Sequence, residues 1–265
     1  MFVVIFALIL VSVSFAQGAS FLVDFNETGG TSRPVGTWNE YDAPGDIRGG
    51  KLADSGGTIP TFGGPTLSVT GDITDNTLNS GLAVYQPANN SGRNPVWAGA
   101  VGLNGATGDN FYTNNSPNSV AHTFTLSFGG LEAGSYLSLD LLASRDSTLA
   151  RGYFDYSLDN GTTWSGFTVV EYDGTPTTLG GWDTKNTATQ IFSLKNDGFT
   201  NHRYLTMSGT LSATSTTLMV RTTDDTSEAS VFSAMNALRL TTVPEPSSAA
   251  MLILPVLGLV FRRRR

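Results

Sequence analysis

Strict alternation of apolar and hydroxyl-bearing side chains most restricts what this chain can fold into. In AHTFTLSF, residues 121–128, a histidine, two phenylalanines and a leucine share one side of an extended chain, and threonines and a serine share the other. SYLSLDLL (135–142) and YFDYSL (153–158) repeat the pattern. Successive side chains of a strand point to opposite faces, so these segments are predicted to be half-buried β-strands.

Further segments of this kind are separated by clusters of Gly, Asn, Asp and Pro. They lie at 21–25, 66–70, 167–172, 190–194, 217–221 and 237–240. Short strands between turn residues predict an all-β fold, an antiparallel β-sandwich of the jelly-roll type. Residues 26–118 are rich in Gly, Asn and Pro and are predicted to form long loops with a few short strands, not a second domain.

Composition excludes several classes of function. The 265 residues include no cysteine, so disulfides, cysteine-based zinc sites, iron–sulfur clusters and thiol nucleophiles are ruled out. Four of the 15 Lys and Arg residues lie at the C-terminus, and one of the 22 Asp and Glu residues is Glu245, which leaves residues 17–243 with a net charge of −10. An acidic body with scattered arginines disfavours nucleic acid as a partner.

The N-terminus reads as a secretory signal peptide over residues 1–16. A continuous apolar run covers 2–11, and Ser14 and Ala16 occupy the minus-three and minus-one positions of a cleavage site, although no Lys or Arg precedes the run. The alternative is a buried N-terminal element. The body of the protein is then predicted to be a single domain over residues 17–242.

The C-terminus, residues 243–265, has three parts: Pro244-Glu245-Pro246, an apolar run at 249–261 and four terminal arginines. Thirteen residues span about 20 Å as a helix, which is shorter than a comfortable membrane crossing. The four arginines favour a position of the C-terminal tail on the cytoplasmic side of the membrane. We therefore expect a short hydrophobic helix that serves as a temporary anchor; an ordinary membrane anchor or an amphipathic surface helix are the alternatives.

This layout resembles the PEP-CTERM sorting signal of exported bacterial proteins. The resemblance implies that an exosortase processes the chain at the inner membrane, with Pro244, Glu245 and Pro246 as the recognition element. It also implies that the body ends in the cell envelope, at the surface or in the extracellular matrix.

FLVDF, FGGLEAGSYLSLDLLASR and NALRL resemble the opening strand, central hairpin and closing strand of galactose-binding-like jelly rolls. In the second segment Leu131, Gly134 and Tyr136 supply the turn of the hairpin. The resemblance implies carbohydrate or cell-surface binding, with a structural calcium ion as an option and no other cofactor.

YSLDNGTTW, residues 156–164, resembles the Asp-box of sialidases and other propeller proteins. The matching positions are Ser157, Asp159, Gly161, Thr163 and Trp164. A propeller sialidase carries several such boxes, an arginine cluster and a tyrosine nucleophile, whereas this body has one box. We therefore interpret it as a structural motif that stabilises the turn of a hairpin between strands 153–158 and 167–172. In this interpretation Trp164 covers the turn from the apolar side.

Catalytic residues are hard to assign. The two histidines, His122 and His202, are far apart in sequence, and His122 is expected to be a packed or edge residue. No nucleophile elbow, HExxH zinc helix or Walker loop occurs. Paired carboxylates remain as glycosidase candidates, namely Asp224 and Asp225 with Glu228, or Asp140 with Asp146 and Asp155. For the first group a solvated turn is the simpler interpretation.

Sugar stacking would need an exposed aromatic ring. Of Trp38, Trp97, Trp164 and Trp182, we expect Trp182 and Trp97 to be carbohydrate contacts, although a tryptophan at a sandwich rim more often closes the end of the core.

Three functional hypotheses remain, in order of preference. The first is an exported envelope or matrix protein with a noncatalytic body, and the second is a carbohydrate-binding module for extracellular polysaccharide. The third is a glycan-active hydrolase or lyase.

Overall fold

The computed structural model describes residues 18–25, 37–41, 46–59, 64–75, 111–113, 121–143, 151–171, 190–193, 203–224 and 233–243. All regular elements in these ranges are β-strands. The predicted signal peptide, residues 1–16, lies outside the described residues, and so does the predicted sorting signal, residues 243–265, except for Val243 at the end of β16.

The strands are numbered in chain order. The first eight are β1 (Ala19–Phe25), β2 (Asn39–Tyr41), β3 (Arg48–Lys51), β4 (Thr66–Gly71), β5 (Ile73–Asp75), β6 (Phe111–Thr113), β7 (Thr123–Gly129) and β8 (Tyr136–Leu142). The others are β9 (Arg151–Ser157), β10 (Ser165–Gly166), β11 (Thr168–Glu171), β12 (Gln190–Ser193), β13 (Arg203–Thr210), β14 (Leu218–Asp224), β15 (Ala234–Met235) and β16 (Ala237–Val243).

Two large sheets and one small sheet hold these strands. The six-stranded sheet has the order β11-β13-β8-β16-β1-β2, and only its β1-β2 edge is parallel. The seven-stranded sheet has the order β10-β9-β14-β7-β4-β3, with β12 also paired to β9. The small sheet has the order β15-β6-β5.

The core lies between the two large sheets. Burial alternates along β7 and β14, so each strand turns one side inward and the other outward. The inward side chains are large and apolar, and they include Phe21, Val23, Phe124, Leu126, Phe128, Leu139, Leu141, Phe154, Val220 and Leu240. The all-β antiparallel sandwich predicted from the alternation is therefore confirmed.

The order of the long strands in the sheets is of the jelly-roll type. From β7 onward the chain passes repeatedly from one large sheet to the other. The opening and closing strands lie side by side, with Phe21 opposite Leu240 and Val23 opposite Leu238. All nine strands predicted from the sequence are present, with bounds shifted by one to three residues.

The predicted central hairpin is wrong. β7 belongs to the seven-stranded sheet and β8 to the six-stranded sheet, so the turn at Leu131–Tyr136 joins the two layers and does not join paired strands. Gly130 (φ 72°) and Gly134 (φ 81°) provide the left-handed conformations that redirect the chain. The amide of Leu131 donates to the carbonyl of Thr216 at 3.0 Å, which ties this connection to the loop before β14.

The sequence gives little indication of β13, which lies between β8 and β11. Its inward positions include Leu205 and Met207 but also Gly209, where the apolar period stops. A Cβ at Gly209 would lie 2.7 Å from Cδ1 of Leu158, so the space inside the sheet is filled by a residue from the Asp-box turn.

Candidate functional site

The Asp-box forms the turn of a short hairpin between β9 and β10. Asn160 (φ 57°) and Gly161 (φ 83°) both have positive φ, as a type I′ turn requires. Ser165 lies opposite Tyr156 in this hairpin. The strand predicted at 167–172 is present as β11, but its predicted pairing in this hairpin is wrong: β11 pairs with β13 of the six-stranded sheet, because the chain crosses the core at the buried Phe167.

Asp159 is the acceptor at the centre of this turn. Its Oδ1 accepts from the Ser157 hydroxyl at 2.7 Å and from the Thr163 amide at 2.8 Å, and its Oδ2 accepts from the Thr163 hydroxyl at 2.7 Å. Hydrogen bonds from Thr163, and then from Ser157, lower the pKa of Asp159 to about 2. A carboxyl group held ionised in this way is suited to fixing a turn and not to donating protons near neutral pH.

Trp164 connects the turn to the outside of the seven-stranded sheet. Its Nε1 donates to the carbonyl of Gly161 at 3.1 Å, and the Arg221 guanidinium carbon lies 4.0 Å from the centre of its ring. Arg221 is on an outward position of β14, so Trp164 covers the turn from the polar side and not from the apolar side as expected. One face of this ring is occupied by a cation.

Arg221 also binds a buried carboxylate. Its Nη2 donates to Oδ2 of Asp155 at 2.6 Å, and the two residues lie directly opposite each other on β14 and β9. The Asp155 side chain is 6% exposed and that of Arg221 is 33% exposed. Burial raises the pKa of Asp155, although the hydrogen bond and charge of Arg221 act in the opposite direction.

Rows of hydroxyl groups extend from this ion pair across the sheet. Outward residues that lie opposite one another on neighbouring strands form three rows across the sheet, in the strand order β9, β14, β7, β4. The first row is Ser157, Met219, Ser127 and Ser68, and the second is Asp155, Arg221, Thr125 and Thr70. The third row crosses β9, β14 and β7 and consists of Tyr153, Thr223 and Thr123. The Thr123 and Thr223 hydroxyls are 2.8 Å apart. We call this outward surface, together with Trp164, the hydroxyl face.

The outward side of the six-stranded sheet differs. Several of its outward side chains are buried, namely Leu22, Asp24, Val170, Tyr204 and Ala237. It carries a second cross-strand ion pair, in which Nη2 of Arg239 donates to Oδ2 of Asp140 at 2.9 Å and Thr206 donates to Oδ1 at 2.8 Å. Burial raises the pKa of Asp140. On the hydroxyl face only Asp155 and Ser157 are buried among the described outward side chains, so it is the more open of the two outer surfaces within the described ranges.

The structure separates the candidate acid pairs. Asp140 and Asp155 project from opposite outer faces of the sandwich, each bound to its own arginine, so they do not flank one cleft. Asp146 is outside the described residues. Asp224 is 4% exposed at the end of β14, so the solvated turn expected there is wrong for this residue. Asp225 and Glu228 are also outside the described part.

His122 and Asp224 lie at the end of the sandwich near the small sheet. The His122 amide donates to Oδ1 of Asp224 at 2.6 Å, and Nδ1 of the His122 ring lies 3.3 Å from Oδ2 of Asp72. Burial raises the pKa of Asp224. Within the described ranges no group of three or more His, Asp or Glu side chains is arranged to hold a metal ion.

Several predicted site residues cannot be located. Trp97, Trp182, His202 and the motif Pro244-Glu245-Pro246 lie outside the described residues. Trp38 is 9% exposed and belongs to the core, so it offers no free ring. Arg221 was missed by sequence reasoning; its only signal was the polar alternation of LMVRTTD, which places it on an outward position.

The sequence matches no known family model and no curated protein. Among solved structures it is similar to the enzymatically active domain of bacteriophage CBA120 tailspike protein 4, with a TM-score of 0.27 and 12% identity over 66% of this chain and 19% of that one. It is also similar to TmCBM61 in complex with β-1,4-galactotriose, with a TM-score of 0.24 and 8% identity over 67% of this chain and 84% of that one.

A third similar structure is the isomalto-dextranase of Arthrobacter globiformis T6 complexed with panose, with a TM-score of 0.32 and 12% identity over 86% of this chain and 33% of that one. This chain thus spans about a fifth of the tailspike chain and a third of the dextranase chain. These are distant structural similarities to β-domains, two of them solved with a bound oligosaccharide. The described part of the chain has no helix that is long and apolar enough to cross a membrane.

Proposed function

We propose that this chain is an exported, noncatalytic β-sandwich protein that binds neutral extracellular polysaccharide on its hydroxyl face. The observation that supports this most is the arrangement of hydroxyl rows beside Trp164 and the Arg221–Asp155 pair. Among these groups, the hydroxyls of the half-buried Ser68, Thr125 and Ser127 and of the exposed Thr70 can both donate and accept, as the hydroxyls of a sugar do. Strands about 4.8 Å apart hold these groups in a fixed two-dimensional array, so little side-chain entropy is lost on binding.

Charge supports a neutral ligand. Within the three rows the only charged side chains are Asp155 and Arg221, and they neutralise each other. The surrounding body is acidic, which disfavours anionic polymers at long range. Trp164 and the exposed part of Arg221 supply the amphipathic edge against which a sugar ring can pack.

The same rows support a noncatalytic role. A glycoside hydrolase of the common type places two carboxyl groups on either side of the scissile bond. The three rows contain one carboxylate, Asp155, and its oxygen is bound to Arg221. Asp159, the nearest other carboxylate in the sequence, is engaged with Thr163 and Ser157.

Delivery of the body is part of the proposal. The N-terminal apolar run supports export, and the Pro-Glu-Pro motif, the apolar run and the arginine tail support retention at the inner membrane followed by processing by an exosortase. The mature body would then act in the cell envelope or the extracellular matrix.

Affinity electrophoresis through gels that contain neutral or uronic-acid polysaccharides tests the binding proposal. We expect retardation by at least one neutral polymer. Ser127→Glu, which places a charge in the middle of the hydroxyl face, should weaken binding about tenfold or more, equivalent to about 1.4 kcal/mol.

Ser138→Glu is the matched control, because Ser138 is a half-buried outward serine on the central strand β8 of the other sheet. It should bind like the parent protein. Equal losses in both variants, or retardation by no neutral polymer, would contradict the proposal.

A further inference from the structure

Both ends of the body leave the sandwich at the same place. β1 begins at Ala19, opposite Thr242 near the end of β16. The two strands stay in close contact up to the first described residue, since a Cβ at Gly18 would lie 2.8 Å from the carbonyl oxygen of Thr242. β16 then ends at Val243, immediately before Pro244.

The exposed large hydrophobic side chains of the described residues gather at this end. They are Ile59 (59% exposed), Tyr136 (46%) and Val243 (46%). Tyr136 and Val243 are directly opposite each other at the ends of β8 and β16. Ile59 follows the turn at residues 54–58, and the amide of Ser55 in that turn donates to the carbonyl of Ser20 at 2.7 Å. We call this surface the apolar end.

The short segment between β16 and the C-terminal apolar run limits the distance between the apolar end and that run. Five residues, 244–248, separate Val243 from the apolar run at 249–261. A fully extended chain covers at most about 3.6 Å per residue, so the six steps from Val243 to residue 249 place Val243 within about 22 Å of the start of that run. With the run in a bilayer, this short tether favours the apolar end as the part of the sandwich nearest the lipid, because a seven-residue strand places the other end about 23 Å farther along the sandwich.

We propose that the apolar end rests on the lipid surface while the C-terminal apolar segment is held in the membrane. This inference rests on the membrane-retention part of the proposed function. Tyr136 has the amphipathic ring that is enriched at membrane interfaces. The carboxylates of Asp54 and Glu132 belong to turns at the same end, so the surface fits zwitterionic headgroups better than anionic ones.

The absence of cysteine allows single-site labelling of the full chain. We would introduce Ile59→Cys, Tyr136→Cys and, as a control at the opposite end of β4, Thr70→Cys, an exposed position. Each variant carries an environment-sensitive fluorophore and is reconstituted in phosphatidylcholine nanodiscs that contain a headgroup-labelled quencher lipid. Quenching at positions 59 and 136 should be at least twice that at position 70.

The outcomes separate the inference from the proposed function. Equal quenching at all three positions in nanodisc-bound protein would overturn the orientation alone. Failure of the full chain to associate with nanodiscs would overturn the orientation and the membrane-retention step together, and polysaccharide binding would be unaffected. Ile59 lies in an exposed loop, so its variant remains informative even when Tyr136→Cys folds poorly.

Discussion

Two outward-facing arginines each hold a buried carboxylate, and both pairs join residues that are directly opposite on neighbouring strands. Arg221 makes a second interaction, because its guanidinium group also packs over the ring of Trp164. One side chain thus links β14, β9 and the Asp-box turn. Removing it should affect both the stability of the sheet and the shape of the hydroxyl face.

Arg221→Met should lower the free energy of unfolding by about 1–3 kcal/mol, less than for a fully buried pair because Arg221 is one-third exposed. The loss comes mainly from leaving Asp155 in a buried position without its partner. Urea denaturation of the variant measures it.

The double variant Asp155→Asn/Arg221→Met is the control, since it removes the buried charge together with the arginine. It should recover part of the loss. A double variant as unstable as Arg221→Met would show that the buried charge is not the cause.

At the scale of elements, nine strands were predictable because each carries its own alternation, whereas β13 and the short strands carry little such signal. The alternation of AHTFTLSF predicts strand β7, the apolar side chains that it turns inward and the hydroxyl-bearing side chains that it turns outward. Partners were not predictable: Arg221 and Asp155 are 66 residues apart, and their contact follows from strand order and register, which local periodicity does not contain. For the same reason Phe167 was assigned to a hairpin strand when it crosses the core.

The close approach of β9 to the small sheet depends on a glycine. A Cβ at Gly152 would clash with the side chain of Ser233 and would lie 3.1 Å from the carbonyl oxygen of Thr223. Ser233 is fully buried and has a short side chain, so it has little room to move. Gly152 thus allows a close approach between the sandwich and the segment that leads into the small sheet.

Gly152→Ala should therefore cost about 1–3 kcal/mol of unfolding free energy through overpacking. Gly50→Ala on β3 is the matched control, because a Cβ there meets nothing within 4 Å. Thermal and urea unfolding of both variants checks this. A Gly152→Ala variant as stable as Gly50→Ala would mean that the small sheet does not pack against β9 in this way.

At the scale of the whole molecule, buried carboxyl groups set the response to pH. Burial raises the pKa of Asp140, Asp155 and Asp224 above the ordinary value of 3.8. A group whose pKa is raised by folding binds protons more tightly in the folded chain, so protonation stabilises the fold. Asp159 acts in the opposite sense, and its stabilising contribution is lost as the pH falls from about 4 to about 2.

We expect the free energy of unfolding to increase as the pH is lowered from about 7 toward about 4, because the three raised groups take up protons in the folded chain before they do so in the unfolded chain, while Asp159 stays ionised. Urea denaturation at the two pH values measures this. Asp224→Asn should reduce the difference, because the amide takes the place of the protonated acid. A stability that falls over this interval would contradict the assignment.

For a chain exported as proposed, the pairing of β1 with β16 also fixes the order of export and folding. β16 lies inside the six-stranded sheet, between β1 and β8, and its Thr242 hydroxyl reaches the carbonyl of Ala19, 223 residues away, at 3.5 Å. Under the proposed export, the sheet cannot close until residue 243 has crossed the membrane, and pairing over such separations is slow. On that proposal, translocation of the body finishes before the six-stranded sheet is complete.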